Sequence, residues 1–199
     1  MMSAMSQPWP KDVAGLTLRY PSAAEIEDLL AFRNLEPVNE WMLRTHVEPT
    51  AFRGEWSAVA TSDTDFSCAA ILDGEVVGMG FLELTNGMGQ PGWPQATEAS
   101  IGYIVRPERA GRGVATAIAR GLLDAAFVDL GLRRVTAGCF ADNLASVRVL
   151  EKAGMRREQH GVQDSWHHAL GWIDGYTYAA LATDRPDWRV APSPTSGRP

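Results

Sequence analysis

The stretch that decides the fold is residues 101–116, IGYIVRPERAGRGVAT. Its apolar start predicts a strand, a short polar turn follows, and Gly111 and Gly113 precede a segment with helical spacing of apolar residues. A helix N-terminus leaves backbone N–H groups unpaired, and its dipole favours an anion beside them. Glycine lets a phosphate approach the main chain. The stretch therefore predicts either a phosphate site or a strand-to-helix turn that needs glycine for its backbone angles.

The segments before this stretch predict a strand, several helices and a hairpin. A strand is expected at residues 16–19, and two or three helices between residues 22 and 61, the first opened by a Ser-x-x-Glu capping box. Residues 66–72 and 75–84 are apolar runs joined by an Asp-Gly pair. Such a pair is typical of a two-residue hairpin turn, because both residues must tolerate positive φ.

The segments after it predict a parallel crossover and a closing hairpin. Residues 114–125 have helical periodicity and residues 135–139 alternate as a strand does, so strand, helix and strand form a βαβ-like unit. A further helix follows and ends at Gly154. Residues 155–166 and 171–181 are expected to pair antiparallel. This order predicts an α/β fold with a mixed sheet.

Length and composition indicate one globular domain. The chain has 199 residues, of which 45% are hydrophobic and 21% charged. We expect a flexible N-terminus over residues 1–12, one domain over residues 13–184 and a flexible Pro/Ser-rich tail over residues 185–199. The net charge of −6 argues against nucleic acid as a partner and suits a soluble enzyme or a cationic substrate.

Cysteine usage and hydropathy predict a cytoplasmic protein without metal. Cys68 and Cys139 lie in apolar, strand-like runs, and neither has the spacing of a metal ligand. The first twelve residues lack the features of a signal peptide, and no apolar run approaches the roughly 20 residues that a membrane helix needs.

Two segments in order carry a family resemblance. IGYIVRPERAGRGVATAI (residues 101–118) and ADNLASVRVLEKAGM (residues 141–155), with GWIDGYTYAAL near the end, resemble the GNAT superfamily of acetyl-CoA-dependent N-acetyltransferases. The nearest branch is the bacterial-type RimJ/RimL-like group. The resemblance implies a mixed, mostly antiparallel seven-stranded sheet with flanking helices. Its fourth and fifth strands, at about residues 100–105 and 135–140, would splay apart.

The resemblance also implies an acetyl-CoA site. The pantetheine arm would lie in the gap between the splayed strands, and the pyrophosphate on the backbone amides of the glycine turn. Two residues of the later helix, one of which also suits a simple helix cap, would reach toward the arm and the thiol. The implied cofactor-binding residues are Ile104, Val105, Arg109, Gly111, Arg112, Gly113, Val114, Ala115, Thr116, Asn143 and Ser146.

The catalytic groups are less defined by the pattern. Many superfamily members have a tyrosine where this chain has Leu150, so Ser146 is the predicted proton donor, or else a helix-surface serine. Glu98 and Asp164 are the candidate general bases, with solvated surface acids as the alternative. A backbone N–H near Val105 would stabilise the oxyanion.

The acceptor side is the least determined. Trp41, Trp93 and Trp172 are expected either to line an acceptor pocket or to be core residues. The predicted function is transfer of an acetyl group directly to a primary amine, on a protein N-terminus or a small molecule, by a possible homodimer. The alternatives are a non-catalytic acyl-CoA sensor on the same fold and a dinucleotide-binding oxidoreductase. The latter needs its glycines directly after the strand, whereas RPERA intervenes.

Overall fold

A computed structural model describes residues 7–184 of the chain. The strands are β1 (Lys11–Val13), β2 (Leu16–Arg19), β3 (Cys68–Leu72), β4 (Glu75–Thr85), β5 (Glu98–Val105), β6 (Arg134–Phe140), β7 (Arg156–His167) and β8 (Gly171–Leu181). The helices are α1 (Ala23–Arg33), α2 (Glu36–Asn39), α3 (Pro49–Ala58), α4 (Val114–Asp124) and α5 (Leu144–Ala153). All strands join one sheet in the order β1-β2-β3-β4-β5-β6-β8-β7, in which only the β5–β6 pair is parallel.

The sheet has eight strands rather than the expected seven, because residues 11–13 form an additional edge strand. β1 pairs with β2 across a turn in which Ala14 and Gly15 have φ of 51° and 83°. Upstream of it, Trp9 is buried, and its indole N–H donates to the carbonyl of Phe66 at 2.8 Å. Residues 7–12 thus pack against the sheet, unlike the flexible terminus predicted for them. Residues 1–6 and the predicted tail at 185–199 lie outside the described part.

The predicted hairpin forms β3 and β4, and its glycines allow close packing. The turn residues Asp73 and Gly74 have φ of 51° and 82°, which confirms the turn. A Cβ on Gly78 would lie 2.6 Å from the carbonyl oxygen of Ile104, and one on Gly80 would lie 3.0 Å from Ile118 of α4. Glycine at these two positions therefore lets β4 approach both β5 and the helix above it.

The sheet separates two apolar cores. One lies under α4 and α5 and includes Ile101, Ile118 and Leu122. The other lies under α1 and α3 and includes Phe32 and Ile104. Since side chains alternate along a strand, neighbouring residues of β5 contribute to opposite cores.

The splay between the two central strands is present. β5 and β6 pair only from Glu98↔Arg134 to Ser100↔Thr136, and β6 then continues along β8 as far as Phe140↔Gly175. The sheet is consequently open between residues 101–105 and 137–140, which confirms the predicted gap.

Within residues 7–184, no helix is both long and apolar enough to cross a membrane. The same residues contain no group of three or more His, Cys, Asp or Glu placed to hold a metal ion.

Candidate active site

The gap between β5 and β6 opens into a cavity of about 730 Å³ that passes from one face of the sheet to the other. On the α4–α5 face it is bounded by what we term the anion half, and on the α1–α3 face by what we term the aromatic half. The anion half comprises Arg109, Gly111, Gly113, Ala115, Thr116, Asn143, Ser146, Arg148 and Lys152. The aromatic half comprises Arg33, Trp41, Met42, Leu43, Arg44, Phe52, Glu55, Trp56 and Phe81.

The free edge of β5 presents backbone groups to the gap. The amide of Arg106 donates to Val77 of β4 at 2.9 Å, whereas the carbonyl of Thr97 accepts from the β6 side at 2.8 Å. Backbone groups alternate between the two sides of a strand, so the N–H and C=O of Val105 face the gap. Ile104 lines the cavity, but its own amide is directed toward β4 and its side chain is buried.

The glycine turn leaves an open helix N-terminus at the cavity. Gly111 and Gly113 have φ of 72° and 84°, and Gly113 is the N-cap of α4. The first bond within the helix runs from the amide of Ala117 to the carbonyl of Gly113 at 3.0 Å, so the amides of residues 114–116 point out of the helix end. Apart from the adjacent residues of the chain, no atom lies within 4 Å of a Cβ built on either glycine. The space in front of these amides can therefore accommodate an anion.

Three basic side chains of the anion half line the same cavity. Arg148 and Lys152 line the cavity, as does Arg109, whose guanidinium is 2.6 Å from the carboxylate of Glu75.

Every predicted cofactor residue lines the cavity except two. Arg112 is exposed outside the lining, and the side chain of Val114 is buried in the core, which leaves only its amide available.

Ser146 of α5 meets a tyrosine that was not predicted. Asn143 is the N-cap of α5, with its side-chain oxygen accepting from the Ser146 amide at 3.0 Å, and it also lines the cavity. The Ser146 hydroxyl lies 2.8 Å from the hydroxyl of Tyr103 on β5. Burial raises the pKa of Tyr103 well above its ordinary range, so this phenol is neutral. Burial likewise raises the pKa of Cys139 on the opposite strand, although a hydrogen bond from Ser146 offsets this in part.

Sequence reasoning missed Tyr103 although a signal was present. Alternation along β5 places Tyr103 on the same face as Ile101, which is the face covered by the helices α4 and α5. A buried phenol requires a polar partner. The hydroxyl of Ser146 on α5 is such a partner.

The predicted base Glu98 lies away from the cavity. It begins β5, where the strands are still paired, and is buried. Its carboxylate is bound by the guanidinium of Arg133, and that of Arg134 lies 3.8 Å away. Glu98 thus lies between two cations and outside the cavity lining, where it links the start of β5 to the start of β6.

Asp164 is also placed elsewhere, because it lies on the exposed surface of β7 and accepts from the Ser165 hydroxyl at 2.8 Å. The only carboxylate among the described lining residues is that of Glu55. It forms a bidentate pair with Arg44 at 2.9 and 3.1 Å.

Aromatic rings that pack against one another form much of the aromatic half. The ring of Trp56 lies 5.7 Å from that of Phe52 and 5.9 Å from that of Phe81, and all three line the cavity. Trp41 also lines the cavity, and its ring lies 6.0 Å from that of Phe140. Trp93 and Trp172 lie outside the lining, so Trp41 is the member of the predicted trio that contributes to the pocket.

A buried histidine holds Trp41 in place. The ring of His167 lies 5.0 Å from that of Trp41. Its Nδ1 accepts from the amides of Ala169 and Leu170 at 3.2 and 3.3 Å, so the proton is on Nε2, which donates to the carbonyl of Glu40 at 2.7 Å. The end of β7 thereby anchors the segment that carries Trp41.

This geometry agrees with the comparisons with known proteins. Residues 15–156 match the family described as acetyltransferase (GNAT) domain. The chain belongs to the GNAT family. Its fold matches the structure of Mycobacterium smegmatis RimJ in complex with CoA-disulfide, with a TM-score of 0.75, 24% identity and 92% of both chains covered. The predicted fold class is confirmed, and the oxidoreductase alternative is wrong.

Relatives with curated names are also acetyltransferases. The GNAT chain is 35% identical over 81 residues to uncharacterized N-acetyltransferase YnaD of Bacillus subtilis, a match that covers 41% of this chain and 47% of YnaD. The match therefore spans about half the length of that relative. Over 150 residues the chain is 23% identical to aminoglycoside N(6')-acetyltransferase type 1 of Klebsiella pneumoniae, covering 72% of this chain and 75% of the relative.

Proposed function

We propose that this GNAT protein transfers the acetyl group of acetyl-CoA directly to a primary amine. The observation that carries the proposal is the continuity of the cavity. It extends from a helix N-terminus with outward-pointing amides, through the gap between two splayed strands, to a mostly apolar region on the other face of the sheet. A cosubstrate with a phosphate-rich end and an extended arm suits the first two parts, and an acceptor suits the third.

The anion half supports acetyl-CoA as that cosubstrate. The outward amides of residues 114–116 and the open space at Gly111 and Gly113 suit a pyrophosphate, which the helix dipole also favours. Arg148 and Lys152 would add charge for further phosphate oxygens. The C=O of Val105 would accept a hydrogen bond from an amide of the arm, as it would from a neighbouring strand.

The groups near the gap suit the chemistry of transfer. In the proposed step the nitrogen–carbon bond forms, the carbon–sulfur bond breaks, the amine proton passes to water and the sulfur receives a proton. The Val105 N–H would donate to the developing oxyanion. The Ser146 hydroxyl would supply the proton to the sulfur, with the Tyr103 hydroxyl at 2.8 Å as the positioning group.

The acceptor class in this proposal is a protein N-terminal amine or a small-molecule amine. Named relatives and structural neighbours include RimJ and an aminoglycoside acetyltransferase. The proposal needs no metal and includes neither nucleic acid nor a membrane as a partner. A cytoplasmic location and a homodimer stay predictions.

Binding and thiol release test the proposal separately. Acetyl-CoA should raise the melting temperature, whereas NAD should not. A thiol-reactive dye should then report CoA release that depends on both acetyl-CoA and an added amine or peptide. Stabilisation by NAD and not by acetyl-CoA would contradict the proposal that acetyl-CoA is the cosubstrate. Acetyl-CoA binding without amine-dependent release would favour the sensor alternative.

A further inference from the structure

The charges lining the cavity are strongly unbalanced toward the positive. Among the described residues, the charged lining residues are Arg33, Arg44, Arg109, Arg148, Lys152 and Glu55. Three of the five cations belong to the anion half, where phosphates are expected. The remaining three charges, two positive and one negative, face the aromatic half, where the acceptor would bind.

The single carboxylate of the aromatic half is already neutralised. Glu55 receives both guanidinium hydrogen bonds from Arg44, at 2.9 and 3.1 Å. This leaves Arg33, which is almost fully buried and donates to the carbonyl of Arg44 at 2.6 Å and to the side chain of Asn39. Burial lowers the pKa of Arg33, but an arginine keeps its charge throughout the physiological range. The aromatic half therefore has a net charge of about +1.

This environment disfavours a polycation. Each additional ammonium group of a polyamine or an aminoglycoside would lose water in the cavity without gaining a carboxylate partner. It would also be repelled by the arginine charge. The overall charge of −6 does not alter this, since every acidic residue of the described part other than Glu55 lies outside the lining.

The lining of the same half is mostly apolar. Trp41 and Phe81 are partly exposed and present rings to the cavity, whereas Phe52 and Trp56, also in the lining, are only 2% and 5% exposed. Leu43, at the rim, is 88% exposed, which is unusual for a leucine that lines a pocket. Aromatic and aliphatic surfaces of this kind bind an apolar group by removing both from water.

We propose that the acceptor is a monoamine whose body is apolar or aromatic and carries no further positive charge. This inference rests on the proposed acetyl transfer. The net positive surroundings would also favour the neutral form of the bound amine, which is the form that attacks the thioester. The pocket would thereby compensate for the absence of a free carboxylate among its described lining residues.

A panel of acceptors tests the inference. The probes are 2-phenylethylamine, a short peptide that begins with phenylalanine and has no basic residue, spermidine and kanamycin, each measured by CoA release. We expect kcat/KM for at least one of the first two to exceed that for both polycations by at least about 100-fold. The two apolar probes distinguish a small amine from a peptide N-terminus as the source of the group.

Two substitutions localise the selectivity. Trp41→Ala should lower kcat/KM for the preferred apolar probe by about tenfold and leave the Kd for acetyl-CoA unchanged, whereas Trp93→Ala, outside the lining, should change neither. Arg44→Gln removes one cation and frees Glu55 to pair with an ammonium group. It should raise kcat/KM for spermidine by about tenfold. Arg44 is half exposed, so this change should leave the fold intact.

The outcomes separate this inference from the proposed function. Efficient release with spermidine or kanamycin and not with the apolar probes would establish acetyl transfer and overturn the inference. Acetyl-CoA binding with no release for any amine would overturn both. Selectivity for an apolar probe that persists in Trp41→Ala and in Arg44→Gln would show that the aromatic half does not select the acceptor.

Discussion

The anion half and the aromatic half of the cavity are assembled from sequence in different ways. The anion half is built around a continuous segment, residues 109–116, in which two glycines at positive φ expose backbone amides, and its other members come from α5 and the N-cap of that helix. The aromatic half depends on contacts between distant segments, such as the bond from His167 to the carbonyl of Glu40, 127 residues earlier. Backbone amides suit the pyrophosphate of the proposed cosubstrate, because they are present whatever the side chains are. The side chains of the aromatic half come from several elements, so substitutions there can alter which acceptor binds without disturbing the pyrophosphate site.

The largest effect is expected from a charge placed in the anion half. Gly113→Asp should weaken acetyl-CoA binding by about 1000-fold, because a side chain is strained at φ of 84° and its carboxylate would repel the pyrophosphate. Isothermal titration calorimetry measures the change. Gly92→Asp is the matched control, since Gly92 also has positive φ and open space but lies outside the lining. Normal acetyl-CoA binding by Gly113→Asp would show that the glycine turn is not part of the acetyl-CoA site.

A second test concerns the gap between the halves. Ser146→Ala should lower kcat by about 100-fold, the typical contribution of a proton donor, with an unchanged Kd for acetyl-CoA. Tyr103→Phe should lower kcat by about tenfold, because Ser146 keeps its hydroxyl and loses its positioning partner. If Tyr103→Phe raises KM for acetyl-CoA and leaves kcat unchanged, the tyrosine contributes to binding instead.

The pH dependence follows from the direction of the Tyr103 shift. Burial raises its pKa above the ordinary value of about 10, so the phenol stays protonated through about pH 9.5. Activity should therefore rise with pH as the acceptor amine is deprotonated and should not fall again below about pH 10. The raised pKa also means that the contribution of Tyr103 to stability is complete below pH 10 and is lost only above it. Loss of kcat by pH 8.5 in a still folded protein would contradict this assignment.

A smaller effect is expected in the aromatic half. His167→Gln should raise KM for the acceptor by about two- to tenfold, the equivalent of one hydrogen bond, because the segment with Trp41 loses its anchor. The Kd for acetyl-CoA should not change. His160→Gln is the control, since His160 lies on the same strand but is exposed and paired with Asp174. Equal changes of KM in both variants would indicate a general effect on the β7–β8 hairpin rather than loss of the hydrogen bond from His167 to Glu40.

The smallest catalytic effect is expected for Glu98, outside both halves. Glu98→Gln should lower the free energy of unfolding by about 1–2 kcal/mol through weaker bonds to Arg133 and Arg134, and should leave kcat within about twofold. Urea denaturation and steady-state rates measure the two quantities. A large loss of kcat at unchanged stability would restore Glu98 as the general base.

Local patterns in the sequence were sufficient for much of the fold. The Asp73-Gly74 turn, the capping box of α1 and the crossover from β5 to β6 all depend on residues close together in the chain, and each is present. The edge strand β1 was missed because three residues, KDV, contain too little alternation to be recognised. The candidate bases Glu98 and Asp164 lie outside the cavity lining, because strand register, not sequence spacing, decides which residues reach the gap.

The sequence by itself determined the glycine turn and the helix that carries Ser146, because the backbone conformation of each depends on neighbouring residues. These two segments, in that order, were also sufficient to indicate the family. Only the tertiary structure decided that Tyr103 contacts Ser146, that Glu98 is bound by two arginines, and that the aromatic half is positively charged within an acidic protein. Packing and electrostatics act between groups that are close in space, and the chain order does not specify that proximity.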